Sequence, residues 1–279
     1  MKKKKITWPS VYLVFVFLLL YVPILYLIYY SFNEGGTMNE FTGFTWEHYQ
    51  AVFQDTRLIG IAFDTLRVAL LSSLFATIIG TLGAIGIYYV RKKQWKNTLL
   101  SFNNVLLVSP DVIIGASFLM FFTFIGFRLG FYSVLLAHIA FSIPIVVLMV
   151  LPRLQEMNDS MITAARDLGA NSAQVLSKII LPSITPGILA GFFMAFTYSL
   201  DDFAVTFFVT GNGFATLSVE IYSRARQGVS LEINALSALL FLVALLMVIG
   251  YYFIQQYQMR RRQSRSAQGQ GRRKVGMKR

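Results

Sequence analysis

The chain has 279 residues, of which 56% are hydrophobic and only 14% are charged. This composition, with a mean hydropathy of +0.59, argues against a soluble domain and indicates a membrane protein. The sequence contains no cysteine, which excludes disulfides and cysteine–metal sites. The net charge of +12 is concentrated at the two ends of the chain. Because no aromatic or base-reading pattern accompanies these basic residues, we interpret them as signals that orient the protein at a lipid surface, not as a nucleic-acid site.

Apolar stretches divide the chain into six predicted membrane spans. Each stretch is long enough to cross ~30 Å of hydrocarbon, which requires ~20 residues. The predicted fold is therefore all-α, a polytopic membrane protein with six transmembrane helices. The first stretch follows several lysines, but it is too long for a signal peptide and lacks a small-residue cleavage site, so we expect it to remain as a span. The six stretches cover residues 10–32, 65–90, 100–127, 132–152, 186–210 and 234–257.

The basic residues predict the orientation of these spans. If the spans alternate, the lysines of residues 2–5, the basic loop at 91–96 and the arginines at 260–262 fall on one side. Lysine and arginine mark cytoplasmic loops, so both termini are predicted to be cytoplasmic. We assign residues 1–9 to a cytoplasmic N-terminus and residues 10–258 to one transmembrane domain. Residues 259–279 form a basic cytoplasmic tail, whose Ser, Gln, Gly and Arg content predicts disorder.

With this topology, residues 153–185 form a cytoplasmic loop that is predicted to contain two short helices. The first begins at a cluster of capping residues, 158–160, and ends at Gly169, which can adopt a left-handed conformation. The second begins at Asn171, which forms a capping box with Gln174. Pro182 is predicted to end it, and the fifth span is predicted to start near residues 185–186.

Three aspartates are predicted to lie within the membrane: Asp111 directly after Pro110 in the third span, and Asp201 and Asp202 in the fifth. A carboxylate at the bilayer centre costs ~3 kcal/mol, so these residues require a function or a partner. They could line a cation path in which the rings of Tyr198 and Phe203 offer cation–π contacts. Alternatively, one aspartate could cap a broken helix or bond to a neighbouring span. Adjacent residues point about 100° apart on a helix, so Asp201 and Asp202 should not both face one path.

Catalytic functions find little support in the sequence. The chain has no glycine-rich phosphate-binding loop, so it is not expected to hydrolyse ATP, and no cofactor is predicted. It also lacks a credible nucleophile–base pair or metal cluster for an intramembrane enzyme. A stand-alone cation carrier or channel that uses the aspartates as ion sites remains an alternative.

The cytoplasmic loop resembles the coupling loop of ABC-importer permeases. The shared features are a pair of small residues, a glycine four positions later, and an Ile-x-Leu-Pro segment after nine more residues. In that family the loop seats in a cleft of the ATPase subunit. The resemblance implies that role for the 159–182 loop, although Thr163 stands where the family has glutamate. The matching residues are Ala164, Ala165, Gly169, Ile179, Leu181 and Pro182.

The segments 199–203, 216–223 and 228–236 are similar to PotC-type permeases of spermidine/putrescine importers. This resemblance implies a type I ABC importer permease fold in a bacterial cell membrane and a polyamine cargo. It also implies four kinds of partner besides lipid: a homologous second permease, an ATP-binding subunit dimer, an extracytoplasmic polyamine-binding protein and the polyamine itself. The acidic first external loop, residues 33–60, and the segment 210–230 would face the binding protein. A permease for another small cation or metabolite is the alternative.

Overall fold

The structure is a computed structural model that describes residues 8–227, 231–243, 245–246 and 249. Within these residues the only strand-like pairing is an isolated bridge between Asn33 and Phe44, so the predicted all-α class is confirmed. A π turn covers Leu176–Ile180. The helices are α1 (Trp8–Tyr30), α2 (Glu47–Gln54), α3 (Thr56–Tyr89), α4 (Lys93–Val108), α5 (Asp111–Phe124), α6 (Phe131–Gln155), α7 (Asp159–Asp167), α8 (Ser172–Val175), α9 (Leu181–Asp201), α10 (Ala204–Val209), α11 (Leu217–Gln227) and α12 (Leu231–Val243).

Four helical segments of the described chain are long and apolar enough to span a membrane: α1, α3, α6 and the continuous segment Ser172–Asp201. The helices α4 and α5 together would make a fifth span, bent by 104° at its break. The sixth predicted span begins in α12, and its residues 244, 247, 248 and 250–257 lie outside the described residues. The helix of the second span begins at Thr56 and not at residue 65, and its 34 residues exceed the length that the bilayer requires.

The chain divides into two units, which are residues 56–223 and residues 1–55 with 224–279. In the first of these units, α3, α6 and α9 pack closely through small residues. A Cβ atom built on Gly80 of α3 would lie 2.7 Å from the Cβ of Val146 on α6, and Gly191 of α9 approaches the same valine. Ala76 and Ala84 of α3 are fully buried. Small residues allow helix backbones to approach closely in a membrane, where lipid provides no hydrophobic driving force.

Two helix breaks interrupt this unit. The third predicted span separates at Pro110 into α4 and α5. The fifth predicted span ends at Asp201, because Asp202 adopts an extended backbone with ψ 124° before α10 begins. The two helices that follow the breaks, α5 and α10, pack against each other through Gly115. A Cβ atom on Gly115 would lie 3.0 Å from the Cα of Val205, so only glycine permits this contact.

The segment between α6 and α9 folds largely as predicted. The Asn158 side chain accepts the backbone N–H of Ser160 at the start of α7, and Gly169 has φ +85° after its end. Asn171 and Gln174 form the predicted capping box at α8.

The predicted stop at Pro182 is wrong, and the fifth span therefore starts at residue 172, not near residues 185–186. The helix continues through the proline because the preceding π turn is wider, with the N–H of Leu181 bonded to the carbonyl of Leu176. This wider turn accommodates a residue that has no N–H and that clashes with a regular helical turn.

The other unit contains α1, α2, α12 and the predicted external loop. The helix α1 is apolar on all sides, as expected of a helix whose solvent is lipid. The loop is folded around Asn33, which is fully buried. Its amide donates to the carbonyls of Thr37 at 2.7 Å and Glu40 at 2.8 Å, and its side-chain oxygen accepts the N–H of Thr42 at 2.8 Å. These bonds hold the acidic loop in one conformation.

Candidate functional site

The first helix break places Asp111 at the start of α5, where it meets Tyr198 of α9. The Tyr198 hydroxyl donates to Asp111 Oδ1 at 2.8 Å, although the two residues are 87 positions apart in the sequence. Both side chains are exposed. The Tyr198 ring also packs edge-on against Phe141 of α6, with 5.1 Å between ring centroids and an 89° angle. This packing holds the phenol in place while its hydroxyl and the carboxylate remain accessible.

Asp201, the last residue of α9, is the second exposed carboxylate. Its side chain makes no hydrogen bond or ion pair with any residue that the structure describes. Its backbone carbonyl accepts a hydrogen bond from the Ser218 hydroxyl at 3.4 Å. Because the helix ends here, the carboxylate lies at a discontinuity of the backbone and not on the wall of a regular helix. Such discontinuities occur at membrane depth where the backbone lines a cavity or is buried in protein.

Asp202 has a different environment, although it is the adjacent residue. Its side chain is only 5% exposed. Its carboxylate accepts the backbone N–H groups of Val205 at 3.3 Å and Thr206 at 2.8 Å, and also the Thr206 hydroxyl at 2.7 Å. Asp202 therefore caps α10, which was the structural alternative considered for one of the aspartates.

A buried histidine completes the surroundings of Asp202. His138 of α6 is fully buried, and its Nε2 lies 3.4 Å from Asp202 Oδ2. The same nitrogen lies 2.8 Å from the Thr206 hydroxyl, and Nδ1 lies 2.6 Å from the Ser199 hydroxyl. Ser199 in turn contacts Ser72 of α3 at 2.9 Å. The sequence does not reveal this network, because its members come from four helices.

Phe203, predicted to offer a ring face, belongs to an aromatic cluster that joins α10 and α11. Its ring lies 4.4 Å from that of Tyr222 and 5.4 Å from that of Phe207, measured between centroids. The structure thus brings Tyr198 together with Asp111, and Asp202 together with His138. It places Phe203 against other aromatic rings.

The residues predicted to face an ATPase differ in how far their side chains are exposed. Ala164, Gly169 and Pro182 are exposed, and so is Leu168, with 89% of its surface accessible. In contrast, Ala165 and Leu181 pack against the buried core formed by α3, α6 and α9, and Ile179 is half-buried. The Tyr88 hydroxyl of α3 donates to Asp159 Oδ1 at 2.8 Å, which ties the start of α7 to this core. The Thr163 hydroxyl donates to the backbone carbonyl of Asp159 at 3.2 Å.

A family model described as the binding-protein-dependent transport system inner membrane component matches residues 76–264. The chain belongs to this family. As a permease of this family, it is an inner membrane component, which agrees with its apolar helices.

Two relatives from Escherichia coli strain K12 are similar to this permease over nearly their full lengths. The spermidine/putrescine transport system permease protein PotC is 39% identical over 239 residues, which cover 86% of this chain and 90% of the relative. The putrescine transport system permease protein PotI is 33% identical over 261 residues, which cover 91% of this chain and 93% of the relative. The predicted relationship to PotC-type permeases is therefore confirmed.

Solved structures show that the permease has the predicted ABC-importer fold. A chain of a bacterial ABC transporter that imports the acidic polysaccharide alginate matches with a TM-score of 0.69 and 18% identity, over 88% of this permease and 92% of that chain. A chain of the MetNI methionine ABC transporter matches with a TM-score of 0.59 and 21% identity, over 70% of this permease and 92% of that chain. At these identities the likeness concerns the fold alone.

Proposed function

We propose that this permease, together with a homologous second permease, forms the path by which polyamines cross a bacterial cell membrane in an ATP-driven importer. The observation that carries the proposal is the pair of exposed carboxylates, Asp111 and Asp201, at two separate helix breaks. Polyamines carry several ammonium groups, which carboxylates and aromatic ring faces attract. The names of the PotC and PotI relatives point to the same cargo.

The exposure of these carboxylates indicates which surroundings they require. An aspartate that faces lipid at the bilayer centre costs ~3 kcal/mol, whereas one that faces a water-filled cavity avoids most of this cost. We therefore assign Asp111, Tyr198 and Asp201 to the wall of the path. We assign Asp202 a structural role next to the path, because its carboxylate already accepts three hydrogen bonds. We assign Phe203 a structural role as well, because its ring packs against other aromatic rings.

The helix α7 and the turn after it are proposed to dock on a separate ATPase subunit. Exposed Ala164, Leu168 and Gly169 suit a surface that a partner covers, since small residues permit close approach and one large apolar side chain can fill a pocket. Ala165 and Leu181 hold the segment against the membrane core. ATP hydrolysis is assigned to a dimer of that subunit, and delivery of the cargo to an extracytoplasmic polyamine-binding protein.

The proposed orientation, with both termini in the cytoplasm, has a direct test. Because the natural chain has no cysteine, single cysteines can report which side of the membrane each loop faces. A membrane-impermeant maleimide is expected to label Glu40→Cys in intact cells and Lys92→Cys only after permeabilisation. The reverse pattern would contradict the assigned topology.

Two alternatives differ in cargo or in machinery. The fold is shared with a transporter of an acidic polysaccharide, so the fold alone does not select the cargo. The exposed carboxylates disfavour an anion but admit another small cation or metabolite. A stand-alone cation carrier would have no use for a docking surface at α7, and copurification of an ATPase with the permease would separate these two classes.

The deciding experiment measures uptake of labelled spermidine and putrescine into proteoliposomes that contain the full assembly, the binding protein and ATP. Wild type is compared with Asp111→Asn, Asp201→Asn and Asp202→Asn. Asp64→Asn is the matched control, because Asp64 is an acid of α3 paired with Arg67 at 3.1 Å. We expect uptake by wild type and the control, and loss of uptake with retained ATPase activity in Asp111→Asn or Asp201→Asn. An assembly that hydrolyses ATP but takes up no polyamine would refute the cargo and leave the importer class intact.

A further inference from the structure

We propose that His138 is a positioning residue of this path. Its imidazole joins α9 to α10 across their break and thereby sets the location of the carboxylates there. The inference rests on the proposed polyamine function, because it concerns the geometry of the same site. His138 lies on a third helix, α6, so the contact is independent of the backbone that breaks at Asp202.

The two ring nitrogens contact opposite sides of the break. Nδ1 lies 2.6 Å from the hydroxyl of Ser199, which precedes the break on α9. Nε2 lies 2.8 Å from the hydroxyl of Thr206 on α10 and 3.4 Å from Asp202 Oδ2 between the two helices. The ring has no exposed surface, so water does not compete for these contacts. One rigid side chain thus fixes the separation of two helix ends.

Hydroxyl groups extend these contacts to a fourth helix. The Thr206 hydroxyl donates to Asp202 at 2.7 Å, so its oxygen accepts the proton of Nε2. On the other side of the ring, the Ser199 hydroxyl lies 2.9 Å from the Ser72 hydroxyl of α3. The network therefore joins α3, α9, α6 and α10.

The positioned residues are the immediate neighbours of the path carboxylates. Ser199 follows Tyr198, and Asp202 follows Asp201, so a shift at either end of the imidazole moves a residue of the path. Phe141 adds a second connection, since its ring lies 4.9 Å from the imidazole and 5.1 Å from the Tyr198 ring. Tyr198 holds Asp111. Removing the imidazole should therefore weaken the apparent affinity for polyamine.

The test compares three substitutions in the full assembly. His138→Leu removes all three polar contacts of the ring. His138→Gln can place its amide near the position of Nε2 and keep the contact with Thr206 and Asp202, whereas His138→Asn can reach only the position of Nδ1. His48→Gln is the control, because His48 is the other histidine of the chain and contacts a backbone carbonyl of the external loop at 2.8 Å.

The measurements are the half-saturating polyamine concentration and maximal rate of uptake, with ATPase activity and assembly measured on the same samples. His138→Leu is expected to raise the half-saturating concentration about tenfold, because it removes the buried hydrogen bonds with Ser199 and Thr206, while ATPase activity is retained. His138→Gln should restore most of the affinity and His138→Asn should not. This rescue pattern stays informative if His138→Leu assembles poorly.

Three outcomes would overturn the inference. The first is wild-type affinity in His138→Leu, and the second is equal impairment of the Gln and Asn variants. The third is a loss of ATPase activity and assembly in all three variants, which would indicate general destabilisation. In each of these cases polyamine uptake by wild type would leave the proposed function standing. A wild-type assembly that takes up no polyamine would refute the proposed cargo and this inference together.

Discussion

The adjacent aspartates at the end of α9 should respond in opposite ways to the same substitution. Asp202→Ala removes the acceptor of two backbone N–H groups and of the Thr206 hydroxyl, all of which point into protein. Loss of a helix cap costs about 1 kcal/mol, and each buried group left without a partner costs about 1–3 kcal/mol. Allowing for local relaxation, we expect a loss of about 3 kcal/mol in the free energy of unfolding. Asp201→Ala removes an exposed carboxylate and should change stability by less than about 0.5 kcal/mol.

The assay is thermal unfolding of the purified assembly. The quantity measured is the fraction of the assembly that stays monodisperse after heating to each temperature. For a unit of this size, about 3 kcal/mol corresponds to a decrease of about 6–12 °C in apparent melting temperature. Asp202→Asn should lie between wild type and Asp202→Ala, because asparagine still caps a helix. In polyamine uptake the two alanine variants should rank the other way. Asp201→Ala should be inactive although its stability is normal. Equal melting temperatures for the two alanine variants would refute the division of roles between the two aspartates.

Three further substitutions test other parts of the molecule. Tyr198→Phe removes the hydrogen bond to Asp111 and should reduce uptake at low polyamine concentration by about tenfold, with unchanged assembly on size exclusion; unchanged uptake would contradict the role of the pair. Gly169→Asp should leave membrane insertion intact but abolish ATP-driven uptake, because a charged side chain enters the turn after α7, where the backbone φ is +85°. Normal transport by the well-expressed variant would refute the docking assignment. Gly115→Val should destabilise the contact of α5 with α10 by about 1–3 kcal/mol, since its Cβ would meet the Phe208 ring at 2.8 Å; a melting temperature equal to that of wild type would contradict this.

Local features of this permease could be predicted well from its sequence. The caps of α7 and α8 depend on residues within three positions of each other, and both caps are present as expected. The apolar stretches likewise predicted where most of the long helices lie. Pro182 shows where a local rule fails, because the π turn before it removes the clash that the rule assumes.

The arrangement of the site depends on contacts between distant residues, which the sequence could not supply. Tyr198 and Asp111 are 87 positions apart, and His138 is 61 positions from Ser199. The sequence marked all three aspartates as unusual, because a carboxylate in a membrane needs an explanation. It could not assign one aspartate to a cap and another to the surface, since that difference arises from where α9 ends. For the buried hydrogen-bond network, the feature of the sequence that could have indicated it is His138, an ionisable residue in an apolar span.

The uninterrupted helix from Ser172 to Asp201 is long enough to carry a movement from one side of the permease towards the other. Its 30 residues, at about 1.5 Å each, make a rod about 45 Å long. One end of the rod follows the turn after α7 that is proposed to meet the ATPase, and the other end carries Asp201. A tilt of about 5° at the first end would displace the second by about 4 Å. A helix that stopped at Pro182 would absorb such a tilt in a flexible joint, whereas a continuous helix would transmit it to the proposed path carboxylate.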